Sequence, residues 1–160
     1  MAGNPPRLIE IRSAGPAERA ATLELRYEVF CDEQGVPREF ERDEHDDDAQ
    51  VIVAVDRGSG RIVGTCRLID DGQGAWRLGR LAVARSWRGR GLGTALVHEA
   101  ERVARARGAT AIALHAQTSA LGVYERNGFV ARGEPFDEVG IEHLAMEKRL
   151  RGDDPPAPGS

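Results

Sequence analysis

The clearest periodicity in the chain lies between Thr94 and Gly108, where Leu96, Ala100 and Val103 recur at helical spacing and Gly108 stands where a C-terminal cap belongs. The pattern predicts a helix over Thr94–Arg107. Trp76–Ala84 ahead of it reads as a strand, so a strand passes through a glycine- and arginine-rich turn directly into a helix. Upstream, Gln50–Asp56 and Ile62–Ile69 read as two strands of a hairpin closed by Gly58-Ser59-Gly60, and Asp70–Gly74 is a second turn. Leu8–Ile11 alternates as a first strand. Pro16 opens a helix, its missing N–H costing nothing there, with Ala21, Leu25 and Val29 along one stripe until Gly35-Val36-Pro37 breaks the pattern.

After the long helix, Thr110–Ala116 alternates as a strand and Ser119–Asn127 is a short helix ending at Gly128. Phe129–Gly133 and His143–Arg149 read as closing strands around a Pro135–Gly140 loop. The fold class is α/β, a mixed, mostly antiparallel twisted sheet flanked by helices. One domain over 1–150 is expected. Met1–Pro6 is expected to be a loose start, and Arg151–Ser160, rich in Pro, Asp and Gly, a disordered tail.

The turn carries the chemistry. In Arg88-Gly89-Arg90-Gly91-Leu92-Gly93-Thr94, glycines let the backbone come close to a ligand, and the helix start offers N–H groups and the positive end of its dipole. Such a turn binds phosphate. A nucleotide P-loop is excluded because no lysine follows Gly93, and the sole lysine is Lys148. A dinucleotide loop is excluded because the glycines read G-x-G-x-G and Arg107–Ala113 holds no acid for a ribose.

The remaining pattern, [Q/R]-x-x-G-x-[G/A] at Arg88–Gly93, resembles the acyl-coenzyme A loop of the GCN5-related N-acetyltransferase (GNAT) family. Ala120–Phe129, with Tyr124, Gly128 and Phe129, looks like the same family's A-x-x-x-Y-x-x-x-G-F segment. The resemblance covers roughly Arg7 to Leu150. Leu25–Phe30, Glu33-Gln34, Val36-Pro37, Glu39, Asp43, Asp46 and Gly140–Met146 are similar to the ElaA/YjcF-like branch. A GNAT-like sheet is implied, with acetyl-CoA (coenzyme A) as co-substrate and no metal. The backbone of Leu81, Ala82 and Val83 would pair with the pantetheine arm, and Arg88, Gly89, Arg90, Gly91, Leu92, Gly93 and Thr94 would wrap the pyrophosphate. One N–H near Leu81–Val83 would meet the oxyanion.

Within that resemblance Tyr124 is the catalytic acid for the leaving thiolate, since a phenol holds its proton at neutral pH. The plainer alternative is a tyrosine packed on the sheet with its hydroxyl on a backbone group. Gln117 stands at a strand end, where it could meet the cofactor arm. Glu33 and His143 are candidates for the acceptor side. The base stays open among Glu33, His115, Asp137, Glu138, His143 and a water relay.

Composition narrows the partners. A net charge of −4 leaves no basic excess for nucleic acid. No apolar run could span a bilayer and no basic-then-apolar leader opens the chain, so a cytoplasmic protein is expected. Cys31 and Cys66 read as reduced core thiols. Glu41–Asp48 reads as a solvated acidic loop, with steering of a cationic amine as its functional alternative; it lacks the glycine of a calcium loop and the paired histidines of a zinc site. The leading reading is an N-acetyltransferase acting on a primary amine of a small molecule or peptide. A non-catalytic acyl-CoA-binding module is the alternative, and the resemblance admits a homodimer through the closing strands.

Overall fold

The computed structural model describes residues 8–70 and 72–150. Expectations about Met1–Pro6 and Arg151–Ser160 fall outside them. Strands β1 (Ile9–Ser13), β2 (Gln50–Asp56), β3 (Arg61–Asp70), β4 (Ala75–Val83), β5 (Ala111–Gln117), β6 (Val130–Glu138) and β7 (Ile141–Arg149) form one sheet, ordered β1-β2-β3-β4-β5-β7-β6. Every neighbouring pair is antiparallel except β4–β5. Helix α1 (Arg19–Arg26) runs on into a π-helical stretch at Tyr27–Glu33, followed by α2 (Arg38–Glu41), α3 (Leu92–Ala106) and α4 (Leu121–Glu125). No helix among the described residues is long and apolar enough to cross a membrane.

Alternation along the strands assigns side chains to two faces. On one face Ile52, Leu68, Leu78, Ile112 and Met146 pack under α3, whose Leu96, Val97 and Ala100 are fully buried. This is the stripe that the helical spacing predicts. On the other face α1 sets Leu25, and the π-helical stretch Val29, against Ala82. Lys148 pins α4 to this frame: its Nζ donates to Glu101 Oε1 at 2.6 Å and to the Asn127 carbonyl at 2.7 Å.

Three expectations need correction. The Pro135–Gly140 loop is mostly strand, and β6 and β7 are joined by a tight turn at Val139-Gly140. A bulge between Arg132 and Phe136 absorbs Gly133 and Pro135, so an edge strand tolerates a proline that composition reads as a breaker. The short helix is a 3₁₀ turn at Thr118–Ala120 followed by α4.

The third correction is larger, because the acidic segment is not a solvated loop. Glu41, Asp43 and Asp46 alternate with Arg26, Arg67 and Arg80 in a closed ring, each charge touching two of opposite sign. Arg26, Glu41 and Arg67 are buried. The carboxylates that composition offers for steering a cationic amine are therefore neutralised from within the fold, while Glu44, Asp47 and Asp48 stay nearer solvent.

Candidate active site

The single parallel contact creates the site. β4 and β5 pair only at Ala75–Ala111, Trp76–Ile112 and Arg77–Ala113. Beyond this, β4 stays on β3 as far as Val83, and β5 stays on β7 as far as Gln117 paired with His143. A gap opens in the middle of the sheet, and a cleft of about 810 Å³ passes along it. Leu81, Ala82, Val83 and Gln117 line this cleft.

At the gap β4 carries a bulge, where Arg80 and Leu81 together oppose Cys66. Arg80 takes φ 56°, a left-handed conformation unusual for a side-chain-bearing residue. Its guanidinium fixes that turn by donating to the Glu41 carbonyl at 3.0 Å and pairing with Glu41 Oε2 at 3.0 Å. The ladder resumes with Ala84 N–H on the Val63 carbonyl, so Val83 directs its own N–H and C=O away from β3, towards the gap. An open strand edge of this kind accepts an extended ligand carrying amides.

The gap leads to the glycine-rich turn. Gly89 and Gly91 adopt φ 77° and 83°, which glycine reaches without strain, and Gly91 is the N-cap of α3. No side chain caps this helix start. The first-turn amides of Leu92, Gly93 and Thr94 have no intrahelical acceptors and suit an anion. Gly93 sits against Leu81 and Val123, joining the turn to β4 and α4. Arg90 stacks over Trp87 with its guanidinium 4.6 Å from the ring centroid. Arg88 folds back: its Nε donates to the Val83 carbonyl at 2.9 Å, and Nη2 pairs with Glu33 at 2.8 Å. Arg88 lines the cleft, whereas Gly89–Thr94 lie beyond its wall, with Gly89, Arg90 and Gly91 exposed and the Leu92 side chain buried in the core.

The two faces of the sheet supply different groups to the gap. On the α3 face, Tyr124 is buried among Leu114, Ala116 and Phe129 and lines the cleft. Its hydroxyl has no hydrogen-bond partner among the described residues, so it is not tied to a backbone group as in the plainer alternative. Burial, and secondarily the nearby Cys66, push its pKa up, keeping the phenol protonated at neutral pH. Burial also pushes the Cys66 thiol up to about 12, leaving it inert. Both cysteines are free.

On the opposite face lie Gln117, His115 and, across the β5–β7 ladder, His143. His143 is buried, and its Nδ1 donates to the Ile141 carbonyl at 2.7 Å, which leaves Nε2 towards Glu138 at 4.0 Å. Glu138 also meets His115 Nδ1 at 2.8 Å. Gln117 donates to Gln34 Oε1 at 2.8 Å. Glu33 does not line the cleft. It faces the arginine of the turn, and the next residue, Gln34, reaches the cleft instead.

Gln34 and the pairing of His115 with Glu138 are invisible to sequence reasoning, because tertiary packing brings together residues 83 and 23 positions apart. The Glu33-Gln34 pair in the ElaA/YjcF-like resemblance marks the segment without saying which side chain faces where. No group of three or more His, Cys, Asp or Glu side chains that could hold a metal ion occurs among the described residues.

Comparison with known proteins agrees with this geometry. The profile of the acetyltransferase (GNAT) domain matches residues 13–150. The Bacillus subtilis protein YjcF, named an uncharacterized N-acetyltransferase, is 37% identical over 125 residues, spanning 78% of this chain and 87% of that one. A Pseudomonas aeruginosa structure titled an acyl-CoA N-acyltransferase superimposes with a TM-score of 0.76 at 30% identity, covering 88% of this chain and 97% of that one. Escherichia coli ElaA shares the fold, with a TM-score of 0.77 at 24% identity over 88% of this chain and 99% of its own. A strand edge opened by a split sheet, a glycine-capped helix start at its end and a buried tyrosine beside it thus occur in a chain that belongs to the GNAT acetyltransferase family.

Proposed function

We propose that the protein transfers the acetyl group of acetyl-CoA to a primary amine of a small molecule or peptide by direct attack on the thioester. The observation that carries this reading is Tyr124, a buried phenol with an unpartnered hydroxyl on the wall of the β4–β5 gap. Leu81–Val83 would hold the pantetheine arm along the open edge of β4. Arg88–Thr94 would hold the pyrophosphate at the start of α3, and Gln117 the arm from the other side. Tyr124 gives its proton to the departing sulfur. The dry surroundings that hold the phenol neutral also disfavour a bare thiolate, so both groups are pushed towards proton transfer.

Calorimetric titration of acetyl-CoA, with ATP and NAD as controls, tests the binding half. Thiol release with an amine panel tests the chemistry. Tyr124→Phe should lower kcat by about 10- to 100-fold while leaving acetyl-CoA affinity nearly unchanged. Binding without turnover of any amine would favour the non-catalytic module.

A further inference from the structure

Direct attack requires a free amine, whereas most primary amines are ammonium ions at neutral pH. Some group must take a proton, and it must stand on the side from which the acceptor comes. Tyr124 and the turn before α3 belong to the α3 face, so the acceptor approaches the gap from the opposite face. Five titratable groups were open from the sequence. Glu33 is engaged by Arg88 and is absent from the cleft wall, and Asp137 is absent from that wall too, its Oδ1 accepting from Gly140 N–H in the β6–β7 turn. Glu138, His115 and His143 remain, and all three line the cleft.

They are not equivalent. In the neutral ring, His143 uses Nδ1–H on the Ile141 carbonyl and turns its lone-pair nitrogen towards a carboxylate, not towards open space. Glu138 spends one oxygen on His115 and turns the other towards His143. His115 donates Nδ1–H to Glu138 at 2.8 Å, which places the lone pair of its neutral tautomer on Nε2. Phe136 packs edge-on to the ring at 4.9 Å and limits its rotation. This is a carboxylate–imidazole pair in which one nitrogen is held and the other is free to accept a proton. The imidazole is half exposed, so a proton taken there can leave to solvent.

Resting on the acetyltransferase reading, the geometry points to His115 as the general base and to Glu138 as the residue that positions it. His115 Nε2 takes one proton from the acceptor's ammonium group and passes it to water. The freed nitrogen pair forms the C–N bond to the acyl carbon as the C–S bond breaks. The nitrogen's second proton goes to the vacated His115 Nε2 and on to water, and Tyr124 regains from water the proton it gave to sulfur. Overall one proton is released per acetyl transferred.

The test compares two kinds of probe by thiol release with acetyl-CoA. Ethanolamine, lysine, spermidine and a tripeptide are ammonium ions at neutral pH. Hydroxylamine and methoxyamine are largely free bases there and need no proton removed before attack. His115→Ala should lower kcat on the best ammonium probe by about 100-fold or more. It should change the rate with hydroxylamine or methoxyamine by only a few-fold, with acetyl-CoA affinity retained by calorimetry. Glu138→Gln should fall between wild type and His115→Ala on the ammonium probe alone, and His143→Gln should not reproduce the split. An equal loss on both kinds of probe, or a loss under threefold on the ammonium probe, overturns the assignment. Wild-type protein that binds acetyl-CoA yet acetylates none of these probes overturns the acetyltransferase reading itself, and the base with it.

Discussion

Replacing Arg26 by Met removes one corner of the buried charge ring and leaves two carboxylates behind. Arg26 donates Nε to Glu41 Oε2 at 2.8 Å, Nη1 to Asp46 Oδ1 at 2.6 Å and Nη2 to the Glu41 carbonyl at 2.7 Å. The side chains of Glu41 and Asp46 are only 5% and 12% exposed, so water cannot take over this solvation. Removing one partner of a buried pair costs about 3–5 kcal/mol, far more than at the surface; Glu41 keeps Arg80 and Asp46 keeps Arg67, but the interior is left with one negative charge in excess. For a chain of this size each kcal/mol lowers Tm by about 2–4 °C, so a fall of roughly 6–20 °C is expected. Urea denaturation gives the free energy directly, and calorimetry gives Tm. Adding Glu41→Gln in the Arg26→Met background should recover part of the loss by removing one stranded charge. A loss below about 1 kcal/mol, or no recovery in the double variant, would show that these carboxylates are solvated in the folded protein and would refute the ring as a structural unit.

Acid should weaken the same ring. Burial raises the Asp43 and Asp46 pKa values, but hydrogen bonds from Arg67 and Arg26 outweigh it, and both carboxyls lie below their ordinary value. Their contribution is therefore complete above the unfolded value of about 3.9 and is lost as pH falls below it. Glu41 acts in the opposite sense, because burial holds its carboxyl above the ordinary value and protonation there relieves a cost. Urea midpoints should thus drop steeply below about pH 4, and the drop should be smaller in Asp46→Asn. Glu33→Gln removes the carboxylate that competes with an anionic ligand for Arg88. Acetyl-CoA affinity should rise up to about fivefold by calorimetry, the scale of a surface ion pair. Gly64→Ala should cost about 1–3 kcal/mol in urea, since its Cβ would lie 2.9 Å from Leu96 Cδ1 and 3.3 Å from Ala54 Cβ in a core with no room to yield.

Local signals in the sequence carried most of the fold. The α3 stripe is read from Leu96, Ala100 and Val103, and the turn before it from glycines whose positions match the left-handed backbone. Tyr124 is found from its place before Gly128-Phe129, and the structure puts it on the wall of the gap. The acidic segment was misread for a physical reason. A carboxylate reads as solvated unless its partner is seen, and the partners of Glu41, Asp43 and Asp46 lie 15 to 39 residues away on α1, β3 and β4. The same holds for His115, whose alternation places it on a face but whose partner, Glu138, arrives only through the β6–β7 hairpin. The bulge at Arg80 is also silent in sequence, since arginine carries no propensity for a left-handed turn.

The three residue pairs joining β4 to β5 act as the spine of a book. One leaf, β1 to β4, carries the strand edge and the glycine turn; the other, β5 with β7 and β6, carries His115 and His143 and has α4 with Tyr124 against it. The proposed acid and base thus travel with one leaf, while the groups proposed to face the co-substrate travel mostly with the other. Trp76 and Ile112, both buried in the spine, set the spacing across the opening, and α3 locks it by packing on Leu68 and Leu78 of one leaf and on Ile112 and Met146 of the other. Variation in that hidden seam can adjust which acceptors fit without touching a single group that meets them.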